Sequence, residues 1–495
     1  MDKIEYNSAS ELIEALQKRI ISSRELLEYY LLRIEKYDVN EINSIVYLDI
    51  ERAIKQAEAA DAAIVKGENW GRLHGLPMTV KELIEVKNFP WIEGDSRNIG
   101  RIGTVNSPSV EALIQEGAIV FGLSNSPQYG RDVQTYNDVY GITSNPWDLT
   151  KTPGGSSGGS AAALATDLTS LELGSDIGGS IRTPAHYCGV YGHKPTLGII
   201  PKIKPLPSPQ IQDDLSVVGP LSRSAKDLDL ALSIIAGPEY HHSEAWQLDL
   251  PNPRHTSLSN YRIAAWLDDP LFPVDDAVSK KLRMTVETLR SNGIAVDETA
   301  RPAIGIFEEI YRIYFSLLMA GTGLEMPYEY LQTLGVKEDE LGLEQLDIGA
   351  NRFRSAAIRH RDWLILNQRR HQIRAEWSNF FNEFDIMLMP VTSITAPEHN
   401  PISVTQNDAL PIKDSRKILV NGEERSYWEQ LGWISMATMA HLPATVAPIG
   451  CSEIGMPVGI QIVGPYLGDR TTIDFAQRLS ELIGGFIPPI LSSKK

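Results

Sequence analysis

Thr152-Pro153-Gly154-Gly155-Ser156-Ser157-Gly158-Gly159-Ser160, running straight into Ala161-Ala162-Ala163-Leu164-Ala165, is the stretch on which the reading of this chain turns. Glycines on both sides of Ser156 and Ser157 let the backbone take conformations that a Cβ forbids and let another group approach closely. A flexible Gly/Ser linker seldom enters a strong helix former, which the alanines are. A phosphate cradle needs Lys after its last glycine, where Ser160 stands. Gly154-x-Ser156-x-Gly158 also matches the nucleophile elbow of α/β-hydrolases. That elbow must follow a buried strand, and Asn145 to Pro153, with prolines at 146 and 153 among polar residues, makes a poor one.

A second unusual stretch follows: Leu173-Gly174-Ser175-Asp176-Ile177-Gly178-Gly179-Ser180-Ile181-Arg182. Consecutive glycines before a serine can turn successive backbone N–H groups toward one point, as a developing oxyanion requires. On its own the segment reads better as a tight turn with a capping serine than as a nucleophile, Ser180, with its own oxyanion hole.

Outward from these segments the texture is α/β. Residues 8 to 37 read as two amphipathic helices, each opened by a capping box, Ser8 with Glu11 and Ser22 with Glu25. From about residue 74, short apolar runs such as Pro77-Met78-Thr79-Val80 and Ala118-Ile119-Val120-Phe121 alternate with helical patterns such as Ser109 to Leu113. Val458 to Val463 alternates like a strand, and Thr471 to Ile483 returns to helix. No internal repeat or long linker divides the 495 residues. One domain over 1–495 is therefore expected, with a helical N-terminal segment over 1–70 and a helix-rich peripheral layer over 270–380.

Composition narrows the function. Hydrophobic residues make up 42% and charged residues 22%, enough for a large core. A formal charge of −17 and a pI near 5.1 oppose a nucleic-acid footprint, which needs concentrated Lys and Arg. The one basic cluster, Arg359-His360-Arg361 with Arg369-Arg370-His371, reads as a solvated helix face. Cys188 and Cys451 form neither a disulfide framework nor a zinc spacing, so a reducing, cytoplasmic setting is expected, with no metal and no cofactor. No signal-like or membrane-spanning run of about 18 apolar residues is seen.

Taken together, the chain resembles the amidase signature family. The resemblance is carried by Gly75-Leu76-Pro77 through Lys81, Ser144-Asn145-Pro146-Trp147, Gly154 to Ser160, Gly174 to Pro184, Gly192 to Pro195, and Met456 to Gly464, in family order along nearly the whole chain. It implies a mixed central β-sheet flanked by helices on both faces and a Ser–cis-Ser–Lys triad. Carried over by position, the lysine is Lys81, the cis-serine Ser156 and the nucleophile Ser180. The amides of Ile177, Gly178 and Gly179, with that of Ser180, match the oxyanion hole, and Asp176 and Arg182 match structural supports of the loop. Lys81 can serve as base only when neutral, so its pKa must fall, which burial beside Met78 and Val80 would achieve.

Two departures concern the surroundings of the triad. Glu82 stands where most members carry Asp, and on a strand it would face away from the lysine's partners. Leu123 replaces a usual lysine, and the loop from Tyr129 to Tyr136 is expected to border the substrate. Aromatic stretches around Ile310 to Leu318 and Tyr427 to Met436 read as core packing or as an apolar acyl pocket. Tyr129, Asp132, Trp428 and Trp433 are the substrate-contact candidates, whereas His186 and His193 read as packing residues. The expected activity is hydrolysis of a small, apolar amide through an acyl-serine, by a monomer or homodimer with no nucleic-acid partner. The alternatives are a glutaminase-type amidotransferase subunit that needs a partner protein, and a non-catalytic binding protein on the same fold.

Overall fold

The computed structural model describes residues 4–202, 214–323, 355–356, 358–402 and 416–491. Its strands are β1 Ile45–Leu48, β2 Pro77–Lys81, β3 Ile119–Ser124, β4 Tyr136–Asn137, β5 Gly141–Ile142, β6 Leu171–Asp176, β7 Tyr191–Lys194, β8 Val217–Ser222, β9 Ile263–Ala265, β10 Val296–Asp297, β11 Ile386–Pro390, β12 Lys417–Val420, β13 Glu423–Ser426, β14 Ala444–Cys451 and β15 Pro457–Val463. Eleven of them form one sheet in the order β1-β3-β2-β6-β8-β7-β14-β15-β11-β9-β10. The centre of the sheet is antiparallel, whereas β3-β2-β6 at one side and β11-β9-β10 at the other are parallel. This is a single mixed sheet with helices on both faces. Its inner strands β2, β7, β8, β11 and β15 are buried at every residue, as strands covered on both faces must be.

The parallel triplet positions the chemistry. Lys81 ends β2, opposite Ser124 at the end of β3, and Asp176 ends β6. These carboxyl ends therefore lie along one edge, where open α/β sheets place their ligands. The stretch Asn145–Pro153 is built of turns and isolated bridges rather than a strand, so the hydrolase elbow does not apply. The alanine-rich helix Gly158–Ala165 follows it and is buried along its whole length against β2, β3 and β6. A helix apolar on all sides is a core helix, and small side chains let it sit close to the sheet.

Both N-terminal capping boxes form, at Ser8/Glu11 and Ser22/Glu25. The helix Ser23–Arg33 continues into a π-helical segment Ile34–Ile42 rather than ending cleanly. Within 270–380 the helices Asp276–Ser291, Phe307–Gly323 and His360–Glu383 are described, and residues 324–354 lie outside the described residues. Part of this segment is central rather than peripheral. Ile310 and Tyr314 are fully buried, and Leu317 and Leu318 reach the cavity described below. The basic cluster is likewise not a plain solvated face: Arg370 is buried and paired with Asp214, and Arg369 pairs with Glu309.

The helix Gly158–Ala165 meets the chain just past β3 so closely that a Cβ on Gly159 would lie 2.4 Å from the Asn125 backbone nitrogen and 2.6 Å from its oxygen. Gly159→Ala is therefore expected to destabilise the protein by about 1–3 kcal/mol or more. The check is a lowered thermal-unfolding midpoint.

Candidate active site

Lys81 is fully buried at the end of its strand, and its Nζ lies 2.6 Å from Ser156 Oγ and 3.0 Å from Ser175 Oγ. Burial pulls the ammonium down from its ordinary range to about 7, against the opposing pull of Asp176 and Glu82. The neutral amine is thereby within reach near neutral pH. The Gly155–Ser156 peptide is cis. Ser180 lies beyond Ser156 on the wall of a cavity of ≈ 590 Å³, and its hydroxyl has no hydrogen-bond partner among the described residues. Ser157 N donates to Ser180 O at 3.0 Å, which joins the two serine-bearing segments.

The loop between β6 and the helix Arg182–Cys188 is held by one ion pair. Asp176 and Arg182 are completely buried. Arg182 Nη2 and Nε donate to the two carboxylate oxygens at 2.9 and 3.0 Å. Burial alone would raise the Asp176 pKa, but the guanidinium overrides it and holds the carboxyl at about 2. Arg182 also donates to Ile434 O, Gln461 Oε1 and Thr438 Oγ1, so every side of it is satisfied. Asp176 further accepts from Gly179 N at 3.0 Å and Ile181 N at 3.1 Å.

The contact with Gly179 corrects one expectation. The Gly179 N–H is committed to Asp176 and is not open to a ligand. Among the described residues, the N–H groups of Ile177, Gly178 and Ser180 have no such acceptor, and all three residues line the cavity. Gly179 instead serves the turn with a φ of +84°, and Tyr314 OH donates to Ile177 O at 3.1 Å from below.

The substrate-contact candidates separate. Tyr129, Asp132 and Trp428 line the cavity. Trp433 does not: its indole N–H donates to Phe272 O at 3.0 Å, and its ring packs edge-on against Trp266 and Phe307, a core position. Asp132 lies in the wall, but its carboxylate is taken up by Arg416, Tyr136 and Tyr427. Glu82 faces away from Lys81's partners and accepts from the amides of Ile92 and Glu93 at 2.7 and 2.8 Å. His186 sits between Gly459 and Ile394, and His193 between Thr445 and Asp469, both buried and away from the cavity.

The sequence reading assigns no role to Ser175, although it lies inside the quoted motif; strand alternation at the end of β6 is the available signal. The apolar walls from Leu317, Leu318, Met319, Trp363 and Leu431 carry no local signature. Chemically, the arrangement offers a dry amine, a bridging hydroxyl, an open hydroxyl and unpaired N–H groups around one apolar cavity. Among the described residues no group of His, Cys, Asp and Glu could hold a metal ion.

Arg182→Met leaves Asp176 as a buried, unpaired charge and is expected to destabilise by about 3–5 kcal/mol, seen as a lower unfolding midpoint. Adding Asp176→Asn is expected to recover part of that loss.

A family model described as Amidase matches residues 25–473. An indoleacetamide hydrolase of Bradyrhizobium diazoefficiens is 29% identical over 483 residues, covering 96% of this chain and 86% of that protein. A glutamyl-tRNA(Gln) amidotransferase subunit of Clostridium botulinum is 27% identical over 512 residues, covering 96% of this chain and 97% of that protein. Among solved structures, a bacterial aryl acylamidase of the amidase signature enzymes superposes with a TM-score of 0.79 at 23% identity over 97% of both chains, a likeness of fold.

Proposed function

The chain belongs to the amidase family and is an amide-bond hydrolase, and we propose that it cleaves small apolar amides with Ser180 as nucleophile, Ser156 as proton relay and Lys81 as base. The observation that carries this reading is the 2.6 Å contact between a fully buried lysine and Ser156 at the wall of the cavity that Ser180 also lines. Neutral Lys81 accepts the Ser156 proton as Ser156 accepts that of Ser180. The freed Ser180 oxygen attacks the amide carbonyl. The resulting oxyanion is met by the N–H groups of Ile177, Gly178 and Ser180. Collapse breaks the C–N bond, and the proton returns through Ser156 to the departing amine. Water then hydrolyses the acyl-serine by the same route. The contact between Ser156 and Ser180 forms as substrate orders the cavity, since catalytic hydrogen bonds commonly tighten in the bound complex.

The walls support an apolar substrate. Among the described residues, the charged side chains that line the cavity are already engaged: Asp132 by Arg416, Asp214 by Arg370, and Arg131 over the Tyr129 ring and toward Thr322 O. A free glutamine would bring an ammonium and a carboxylate to this wall, and burying either without a partner is costly. A stand-alone amidase therefore fits better than a glutaminase subunit. Release of amine or ammonia from aryl and alkyl amides, with no hydrolysis of glutamine, is the expected result. Glutamine hydrolysis that appears only with an added partner protein would overturn it.

Ser180→Ala and Lys81→Ala are each expected to lower kcat by about 10³-fold or more, Ser156→Ala comparably, and double variants scarcely further, because the three act as a unit. Strictly additive losses in steady-state kinetics would contradict the relay. The sign of the pH dependence follows from the amine. Below its folded pKa of about 7 Lys81 is an ammonium and cannot accept a proton, so kcat/KM should rise with pH through that value. A flat profile between pH 6 and 8 would remove Lys81 as the base.

A further inference from the structure

Asp132 lines the cavity yet has no oxygen left for a ligand. Its Oδ2 accepts from Arg416 Nη1 at 2.8 Å and from Tyr136 OH at 2.7 Å, and its Oδ1 accepts from Tyr427 OH at 2.5 Å and from Val133 N at 2.7 Å. The Arg416 guanidinium stacks 3.8 Å from the centroid of the Tyr427 ring. Gln134 Nε2 donates to Tyr427 OH at 3.1 Å, and Gln134 Oε1 accepts from Asn400 N at 2.9 Å. The Asp132 and Arg416 side chains are only 8% and 6% exposed, so this is a desolvated charge pair with its remaining lone pairs satisfied, the arrangement in which such pairs are rigid.

The other side of the same loop bears on the catalytic turn. A Cβ on Gly155 would lie 2.6 Å from the carbonyl oxygens of both Asp132 and Gln134, and one on Gly130 would lie 3.3 Å from Ser156 Oγ. Thr135 Oγ1 donates to Gly154 O at 2.8 Å and accepts from Gly158 N at 3.1 Å. Residues 130–135 are thus wedged between the Asp132 knot and the backbone on either side of Ser156, and residue 155 has room for no side chain.

We propose that Asp132 is a positioning residue: through Arg416, Tyr427 and Tyr136 it presses the 130–135 loop onto the Gly154–Ser156 turn and so holds the Ser156 hydroxyl against Lys81. The proposal rests on the relay assigned above. It moves Asp132 from the substrate to the base, which it never touches.

Asp132→Asn places an amide or a neutral oxygen before the Arg416 guanidinium and loosens the knot, and Tyr427→Phe removes one of its bonds while keeping the ring under Arg416. A displaced relay hydroxyl is expected to lower kcat by about 10²-fold in Asp132→Asn and less in Tyr427→Phe. KM for a small amide should stay within about threefold, and fluorophosphonate labelling of Ser180 should slow in step with kcat. The acid limb of kcat/KM should also move to higher pH. A loosened loop admits water to Lys81, and with less desolvation the nearby Asp176 from β6, and to a lesser degree the averted Glu82, then favour the ammonium. A raised KM at unchanged kcat would make Asp132 a substrate contact instead. A lower kcat with unmoved acid limb and labelling rate per folded molecule would reduce the knot to a stability element. If Asp132→Asn does not fold, the acid limb of Tyr427→Phe decides alone. Wild-type protein that fails to label at Ser180 sinks the relay and this proposal together, whereas normal labelling of the wild type with unmoved acid limbs in both variants sinks only the proposal.

Discussion

The desolvation of one amine is the constraint on which the site depends. Lys81 is fully buried at the end of a strand that is buried at every residue, with the helix Gly158–Ala165 of small residues packed against that strand. Nearby carboxyls oppose that effect, and the fold limits each of them. Asp176 is charged but directed at Arg182 and at the amides of its own loop. Glu82 turns toward Ile92 and Glu93, and burial pushes its own carboxyl up to about 7, so near neutrality it carries less than a full charge. Burial therefore wins over Coulomb attraction, and a residue that is ordinarily a solvated cation becomes able to accept a proton.

Close approach of backbone to backbone is the second constraint, and it gives the glycine pattern a physical meaning. Gly155 lies against the backbone carbonyls of Asp132 and Gln134, and Gly159 against the backbone of Asn125. Each close contact joins a segment bearing a reactive side chain to a segment distant in sequence. The same glycines that lend the stretch its linker-like composition are what let it pack this closely.

The reactive hydroxyls and open amides share one side of the cavity. The serines and unpaired amides lie at the carboxyl ends of the parallel strands, and the opposing walls come from the helix Phe307–Gly323, the helix His360–Glu383 and the segment around Trp428 and Leu431. Asp132 and Asp214 in the walls are neutralised by Arg416 and Arg370. The reactive groups lie at the sheet edge, and much of the apolar wall comes from elements of the second half of the chain.

The sequence by itself determined an α/β texture and the two glycine-serine stretches, because these depend on short-range periodicity and local backbone freedom, and its resemblance to the amidase signature family implied the mixed sheet and marked Lys81, Ser156 and Ser180 as candidates. Only the tertiary structure decided what surrounds them. Ser175 beside Lys81, Trp433 in the core rather than the cavity, and Asp132 bound to Arg416 nearly three hundred residues away all depend on which distant side chains meet. An aromatic or acidic residue has the same local signature whether it faces a ligand or a partner. Its role is set by contacts across the sheet, and those carry no mark in the neighbouring sequence.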